Sequence, residues 1–360
     1  MRRSAAVVLG VSALLALPVS ASAATKIVYA GPPPQAKQLA GAIIGPKAKT
    51  FVKANHPEID SFFSTRVTVN AGDTVSFLIG GFHTVDIPAK GQGDLPLIVS
   101  GATVTGANDA AGSPFWFNGK VPSLSVNPAV AAPSGPSTYD GTARVESGLP
   151  SGKGKPKPLN VKFSKAGTYK FFCDVHPGMI GYVVVKPKGQ PVPSAKQDAA
   201  ALKSQVTHDI RTAIKLSKQK VPAGQVSVGI AGRGGVELFN MFPGTLHVKV
   251  GSVVTFSMSK GSREVHTATF GPMSYLAPLA KAFATQPTFP PAVAYPSDPP
   301  TAPIPLSPTS HGNGFANTGI LDTVKATPLP FSGRIKFTKA GTYQYICMVH
   351  PFMHGTVIVK

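Results

Sequence analysis

Cysteine and acidic side chains are both scarce in this chain of 360 residues. With only 2 cysteines the fold cannot rest on a disulfide framework. Because those two, Cys173 and Cys347, sit at equivalent places in two similar stretches, they read as one job done twice rather than as partners in a bridge. The 15 acidic residues stand against 35 lysines and arginines, a formal charge of +20. That surplus favours acidic partners, anionic envelope polymers or anionic lipid headgroups. The basic residues are scattered along strands and loops and not clustered with aromatics, which argues against nucleic acid. Long apolar runs are missing as well, apart from the stretch from about Ala5 to Val19. That stretch follows Arg2 and Arg3 and precedes Ala21-Ser-Ala23, the three parts of a secretory signal. The expected mature protein begins after Ala23 and is periplasmic or extracellular, associated with the cell envelope.

What is present is a short run that occurs twice, Cys173-Asp-Val-His176-Pro-Gly-Met179 and Cys347-Met-Val-His350-Pro-Phe-Met353. Lys165-Ala-Gly-Thr-Tyr169 precedes the first and Lys339-Ala-Gly-Thr-Tyr343 the second, at the same offset. Each copy continues through Met-x-Gly into a valine-rich strand. A repeat of this length is a duplicated domain and not a solenoid unit. A thiolate, an imidazole and a thioether in one loop form the ligand set of a copper electron-transfer centre, and suit zinc, calcium or magnesium poorly. Two loops therefore predict two copper ions per chain.

The pattern around the loops is that of strands. Arg66 to Phe77 and Leu246 to Phe256 alternate apolar and polar residues about a glycine turn, the period-two signature of half-buried strands. Alternation also turns Tyr169, Phe171 and Cys173 inward together, as it does Tyr343, Tyr345 and Cys347. The expected class is all-β, two sandwich domains at 24–190 and 223–360 behind a signal peptide at 1–23. Residues 191–222 form the linker, where Ala199, Leu202, Val206, Ile210, Ala213 and Leu216 recur at helical spacing. The stripe is expected to pack on a domain, with a membrane-surface helix as the sharper alternative. Long Pro-, Gly- and Ser-rich segments at roughly 90–150 and 272–330 are insertions or covers. Phe115-Trp116-Phe117 is expected to anchor the first one to the core.

Three ligands from one loop leave a blue copper site one imidazole short. His83, in Phe82-His-Thr-Val-Asp, and His266, in Val265-His-Thr-Ala-Thr, occupy the same local setting in the two halves and supply the candidates. His56, His208, His247, His311 and His354 lack such a setting and read as solvated.

At these residues the chain resembles the cupredoxins, the blue copper proteins typified by plastocyanin and amicyanin, in tandem over nearly all of its length apart from the linker and insertions. The short Cys-x-x-His-x-x-Met loop is most similar to that of amicyanins. The resemblance implies two Greek-key cupredoxin β-sandwiches. It also implies one copper on His83, Cys173, His176 and Met179, and another on His266, Cys347, His350 and Met353. The later histidine of each loop, His176 or His350, would lie nearest the surface as the electron port. One departure is Thr84 or Thr267 after the first histidine, where many relatives carry Asn; this alters the hydrogen bonds behind the ligands, and the potential more than the binding.

The function so implied is an exported one-electron carrier with redox-protein partners, and not an enzyme. Copper storage or delivery is the alternative, although reversible delivery sites are usually open and methionine-rich and this chain has 7 methionines. A copper oxidoreductase fits less well. No paired His-x-His occurs, and the residue before each cysteine is Phe172 or Ile346 where a bridging histidine would stand.

Overall fold

The computed structural model describes residues 23–150, 154, 156–324, 327 and 329–360. The expected signal segment, apart from Ala23, lies outside the described residues. The fold is all-β, two sandwiches of paired sheets, with a helix packed in the seam between them.

In the first sandwich one sheet runs through Phe62–Phe63, Thr25–Ala30, Thr74–Ile79, Leu159–Phe163 and Thr138–Tyr139. The other runs through Val145–Glu146, Asp86–Ile87, Gly167–Phe172, Ile180–Lys186 and Arg66–Asn70. The second sandwich repeats this order. Gln225–Ala231, Val253–Met258, Ser332–Phe337 and Ile304–Leu306 are neighbours in one sheet, and Ala316–Asn317, Thr269–Phe270, Gly341–Ile346, His354–Val359 and Thr245–Val248 in the other. Parallel and antiparallel pairings match strand for strand.

Alternation produces these sheets. Along Ile180–Lys186 every second residue, Gly181, Val183 and Val185, is buried, and along Arg66–Asn70 the buried pair is Val67 and Val69. Between the sheets lies an aromatic core in which Phe171 meets Phe62 at 4.6 Å and Phe77 at 5.1 Å, and Tyr345 meets Phe256 at 5.2 Å. The glycine of each Met-x-Gly has a packing reason here. Gly181 faces Phe171 across the ladder, and Gly355 faces Tyr345. A Cβ at either would fall 2.1 Å from the Phe171 ring or 2.3 Å from the Tyr345 hydroxyl, so only glycine lets the ring lie flat on the neighbouring strand.

The linker helix expected from the apolar stripe spans Ala195–Leu216 and is designated the seam helix. A capping box starts it, with Gln197 N donating to Ser194 Oγ and Ser194 N to Gln197 Oε1. Its buried residues Val206, Ile210, Ala213 and Leu216 pack with Ile59 and Phe63 before the second domain and with Ile230, Val236 and Leu238 within it. The stripe is thus covered by protein on both sides. Among the described residues no helix is long and apolar enough to cross a membrane.

Two features tie the sandwiches together in ways the sequence did not announce. After two short helices, Ala36–Ile44 and Ala48–Asn55, the segment Pro57–Ile59 leaves the first sandwich and pairs antiparallel with Val236–Phe242 of the second. The aromatic run of the first insertion also crosses over. Phe115 and Phe117 are buried with Leu276, Val293, Phe315 and Met348, and Trp116 Nε1 donates to Pro296 O at 2.8 Å. The run does anchor the first insertion, but to the second domain, where Leu276, Val293 and Phe315 provide the apolar pocket.

Candidate metal centres

Strand ends deliver the donors. In the first sandwich Cys173 follows Gly167–Phe172, and His83 precedes Asp86–Ile87, which pairs with Phe172. Cys173 Sγ lies 3.3 Å from His176 Nδ1 and 3.8 Å from His83 Nδ1, and the two Nδ1 atoms are 2.9 Å apart. In the second, Cys347 Sγ lies 3.8 Å from His266 Nδ1 and 4.0 Å from His350 Nδ1, with the two Nδ1 atoms 3.1 Å apart. An ion about 2.0–2.3 Å from three nitrogen and sulfur donors in one plane separates them by about 3.5–3.7 Å. Both triads lie near that spacing and present the same ring nitrogen, so the residues fit the metal.

Met179 and Met353 are buried in the same clusters as the cysteines. The loops hold them by identical hydrogen bonds. Cys173 N donates to Met179 O and Met179 N to His176 O, and Cys347 N donates to Met353 O and Met353 N to His350 O. Six of the eight sequence-predicted site residues are therefore gathered into two His-Cys-His triads, and Met179 and Met353 are buried in the hydrophobic cluster that contains the cysteine of each.

The threonine after the first histidine of each half ties together the backbone behind the donors. Thr84 N donates to Cys173 Sγ at 3.3 Å, while its Oγ1 accepts from Asp174 N at 2.8 Å. Thr267 N donates to Cys347 Sγ at 3.4 Å and its Oγ1 accepts from Met348 N at 2.9 Å. Behind the first histidine of each site stands a glycine in left-handed backbone, Gly31 at φ +84 and Gly229 at φ +80. A Cβ there would come within 2.7 Å of His83 Nε2 or 3.0 Å of His266 Nε2. The glycine makes room for the imidazole.

The surface expected for the later histidines is met by His350, whose side chain is 18% exposed beside a fully buried His266, and is corrected for His176. Each lies at the edge of its own sandwich, but the two edges face each other, so His176 is 3% exposed. Its Nε2 lies 2.7 Å from Glu264 Oε1 and 3.7 Å from Asp60 Oδ1, and the other oxygen of Glu264 lies 3.8 Å from His350 Nε2. Sequence reasoning missed Glu264. Its only signal was its position, two residues before His266, in a chain poor in acids. Arg263 also reaches across, its guanidinium donating to Asp60 O, which fixes the seam beside the two histidines.

Electrostatics distinguish the centres. Burial opposes charge on Glu264, yet the His176 imidazole beside it wins and holds the carboxyl down at about 2. Burial likewise opposes charge on His176, but Asp60, Glu264 and the Cys173 sulfur raise it well above the usual range. Cys173, buried but facing His176, is held well below the usual thiol range. In the second site burial alone dominates and pushes the Cys347 thiol up. Burial and the neighbouring His350 push His266 down to about 3. In the first site the neighbouring charges thus favour an ionised Cys173 beside a charged His176, whereas in the second burial favours the neutral Cys347 thiol.

Of the remaining histidines, His208, His247 and His354 are exposed. His56 packs at a tilt against Phe352 with ring centroids 4.9 Å apart, and His311 sits between Asp109 at 3.2 Å and Asp298 at 3.0 Å. Searches found no matching family model and no matching curated protein. Among solved structures the chain is similar to amicyanin from Paracoccus versutus (Thiobacillus versutus), at 16% identity over 40% of this chain and 88% of that one, with a TM-score of 0.21. It is similar also to a reduced Cu(I) form of an amicyanin variant, at 21% identity over 40% of this chain and 89% of that one, with a TM-score of 0.20.

Proposed function

We propose that this protein is an exported, non-enzymatic electron carrier, a tandem cupredoxin that binds one copper ion in each sandwich and moves electrons between the two. The observation that carries the reading is the repeated convergence of two Nδ1 atoms and one Sγ on a single point, at strand ends fixed by aromatic cores and backed by a buried methionine. Bound copper would supply a one-electron Cu(I)/Cu(II) couple. The chain supplies rigidity, so that little rearranges with each electron, and it shields both thiolates from water.

Glu264 gives the pair of sites its use. The two histidine edges that would serve as separate ports share one carboxylate, and His176, Glu264 and His350 form a continuous polar link across the seam. External contact falls to the flanks. Phe352 is 46% exposed with its ring centred 6.0 Å from His350, and Phe82, next to His83, is 55% exposed. A redox partner approaching Phe352 would reach the second site, and the basic surface favours an acidic partner. A peripheral place on an anionic envelope is consistent with the same charge.

The test is the purified oxidised protein. Two coppers per chain, an intense thiolate-to-copper absorption and uptake of two electrons support the carrier. A colourless protein that holds only Cu(I) supports storage or delivery and overturns it.

A further inference from the structure

Directly behind the first copper loop lie three carboxylates, Asp86, Glu146 and Asp174, respectively 0%, 1% and 2% exposed. They offer oxygens that all lie within 4.8 Å of one another. Each has one oxygen engaged. Asp86 Oδ2 is paired with Arg144, Glu146 Oε1 accepts from Gly148 N at 2.9 Å and from Ser147 Oγ at 3.4 Å, and Asp174 Oδ1 accepts from Leu95 N at 2.9 Å. The other oxygen of each, Asp86 Oδ1, Glu146 Oε2 and Asp174 Oδ2, is buried without any hydrogen-bond partner. Three unpartnered carboxylate oxygens converging away from water are costly unless something positive joins them.

The second sandwich shows that the fold does not require charge at this place. Asp86 pairs with Glu146 across a ladder equivalent to that of Thr269 with Asn317, and Asp174 follows its cysteine as Met348 follows Cys347. There the problem is solved with neutral groups. Thr269 Oγ1 donates to Asn317 Oδ1 at 2.7 Å, and Asn317 Nδ2 donates to Ala292 O and Val293 O. The acids of the first sandwich are a substitution onto a position the same architecture otherwise fills with a closed, uncharged network.

We propose that Asp86, Glu146 and Asp174 bind a hard divalent cation, Ca2+, beneath the first copper loop. Three carboxylates and one guanidinium leave a net charge of two negatives, which a divalent ion cancels. All-oxygen donors suit calcium and not the softer copper of the site above. A buried pocket of this kind disfavours Mg2+, which keeps several waters. Arg144 also donates to Gly93 O at 2.7 Å, so the ion would clamp the start of the first insertion onto the two strands that carry His83 and Cys173. The proposal stands independently of the copper reading.

The experiment is calorimetric titration of the chelator-treated full chain with CaCl2, read beside thermal unfolding. The wild type should bind one Ca2+ and unfold at higher temperature with it, and MgCl2 in tenfold excess should not displace it. Glu146→Gln should weaken binding at least tenfold. The triple variant Asp86→Thr, Glu146→Asn, Asp174→Met, which installs the residues of the second sandwich, should bind none while keeping its far-ultraviolet circular dichroism. Absence of binding to the wild type at millimolar Ca2+, as when the carboxyls simply share protons, overturns the proposal. So does undiminished binding by the folded triple variant.

Discussion

His176, a loop residue of the first sandwich, holds its Nε2 2.7 Å from Oε1 of Glu264, a residue of the second. The contact orients the imidazole so that Nε2 carries the proton and Nδ1 faces Cys173, the arrangement in which a carboxylate strengthens a metal-binding histidine. The opposite oxygen of Glu264 is farther from His350, at 3.8 Å. Glu264→Gln is therefore expected to lower Cu(II) affinity at the first site by about tenfold or more and at the second by less. Removing a negative charge destabilises the more positive oxidised ion, so the potential of the first site should rise. Redox titration and competition with a Cu(II) chelator check both. Electron exchange between the sites should slow in the same variant, as followed by flash reduction of one site.

Gly31 and Gly229 make a paired prediction. Gly31→Ala and Gly229→Ala each place a methyl group against an imidazole and force left-handed backbone on alanine, a strain of about 1–3 kcal/mol before the clash is counted. Each variant should lose copper from its own sandwich and keep the other. Metal analysis with the thiolate-to-copper absorption of each variant distinguishes the two sites.

Asp209 on the seam helix is 3% exposed and leaves Oδ2 without a partner. Burial pushes its carboxyl up to about 7, although Arg263 pulls the other way. The folded state therefore holds a proton that the unfolded chain, titrating near ~3.9, gives up earlier. The sign follows: stability from this group is full below about pH 4, falls as pH rises, and is lost above about 7. Asp209→Asn should remove that slope and stabilise the protein at pH 8 by on the order of 2–4 kcal/mol relative to wild type. Urea unfolding of both proteins at pH 5 and pH 8 measures it.

How far the sequence disclosed these features depended on whether they were local. Strand alternation and the seam helix follow from periods confined to a few residues, and the grouping of His83 with Cys173 and of His266 with Cys347 from the repeat together with the second imidazole that a copper site needs. What lay between the sandwiches did not. Pro57–Ile59 is too short to announce which sheet it joins, and Phe115 and Phe117 look the same whether they pack on their own core or on Phe315. The burial of His176 depends on how two domains meet, and Glu264 acquires its meaning only there. Asp174 beside Cys173, against Met348 beside Cys347, was visible as a difference between the repeats. Its closeness to Asp86 and Glu146 required the folded ladder.

The central claim is that two complete and separately assembled copper centres share this chain. Copper titration of Cys173→Ser and Cys347→Ser beside wild type, followed by thiolate-to-copper absorption, tests it most directly. Two equivalents in wild type and one in each variant, with the surviving band at the position of the untouched site, is the predicted result. Loss of both bands from either substitution, or retention of both, contradicts it.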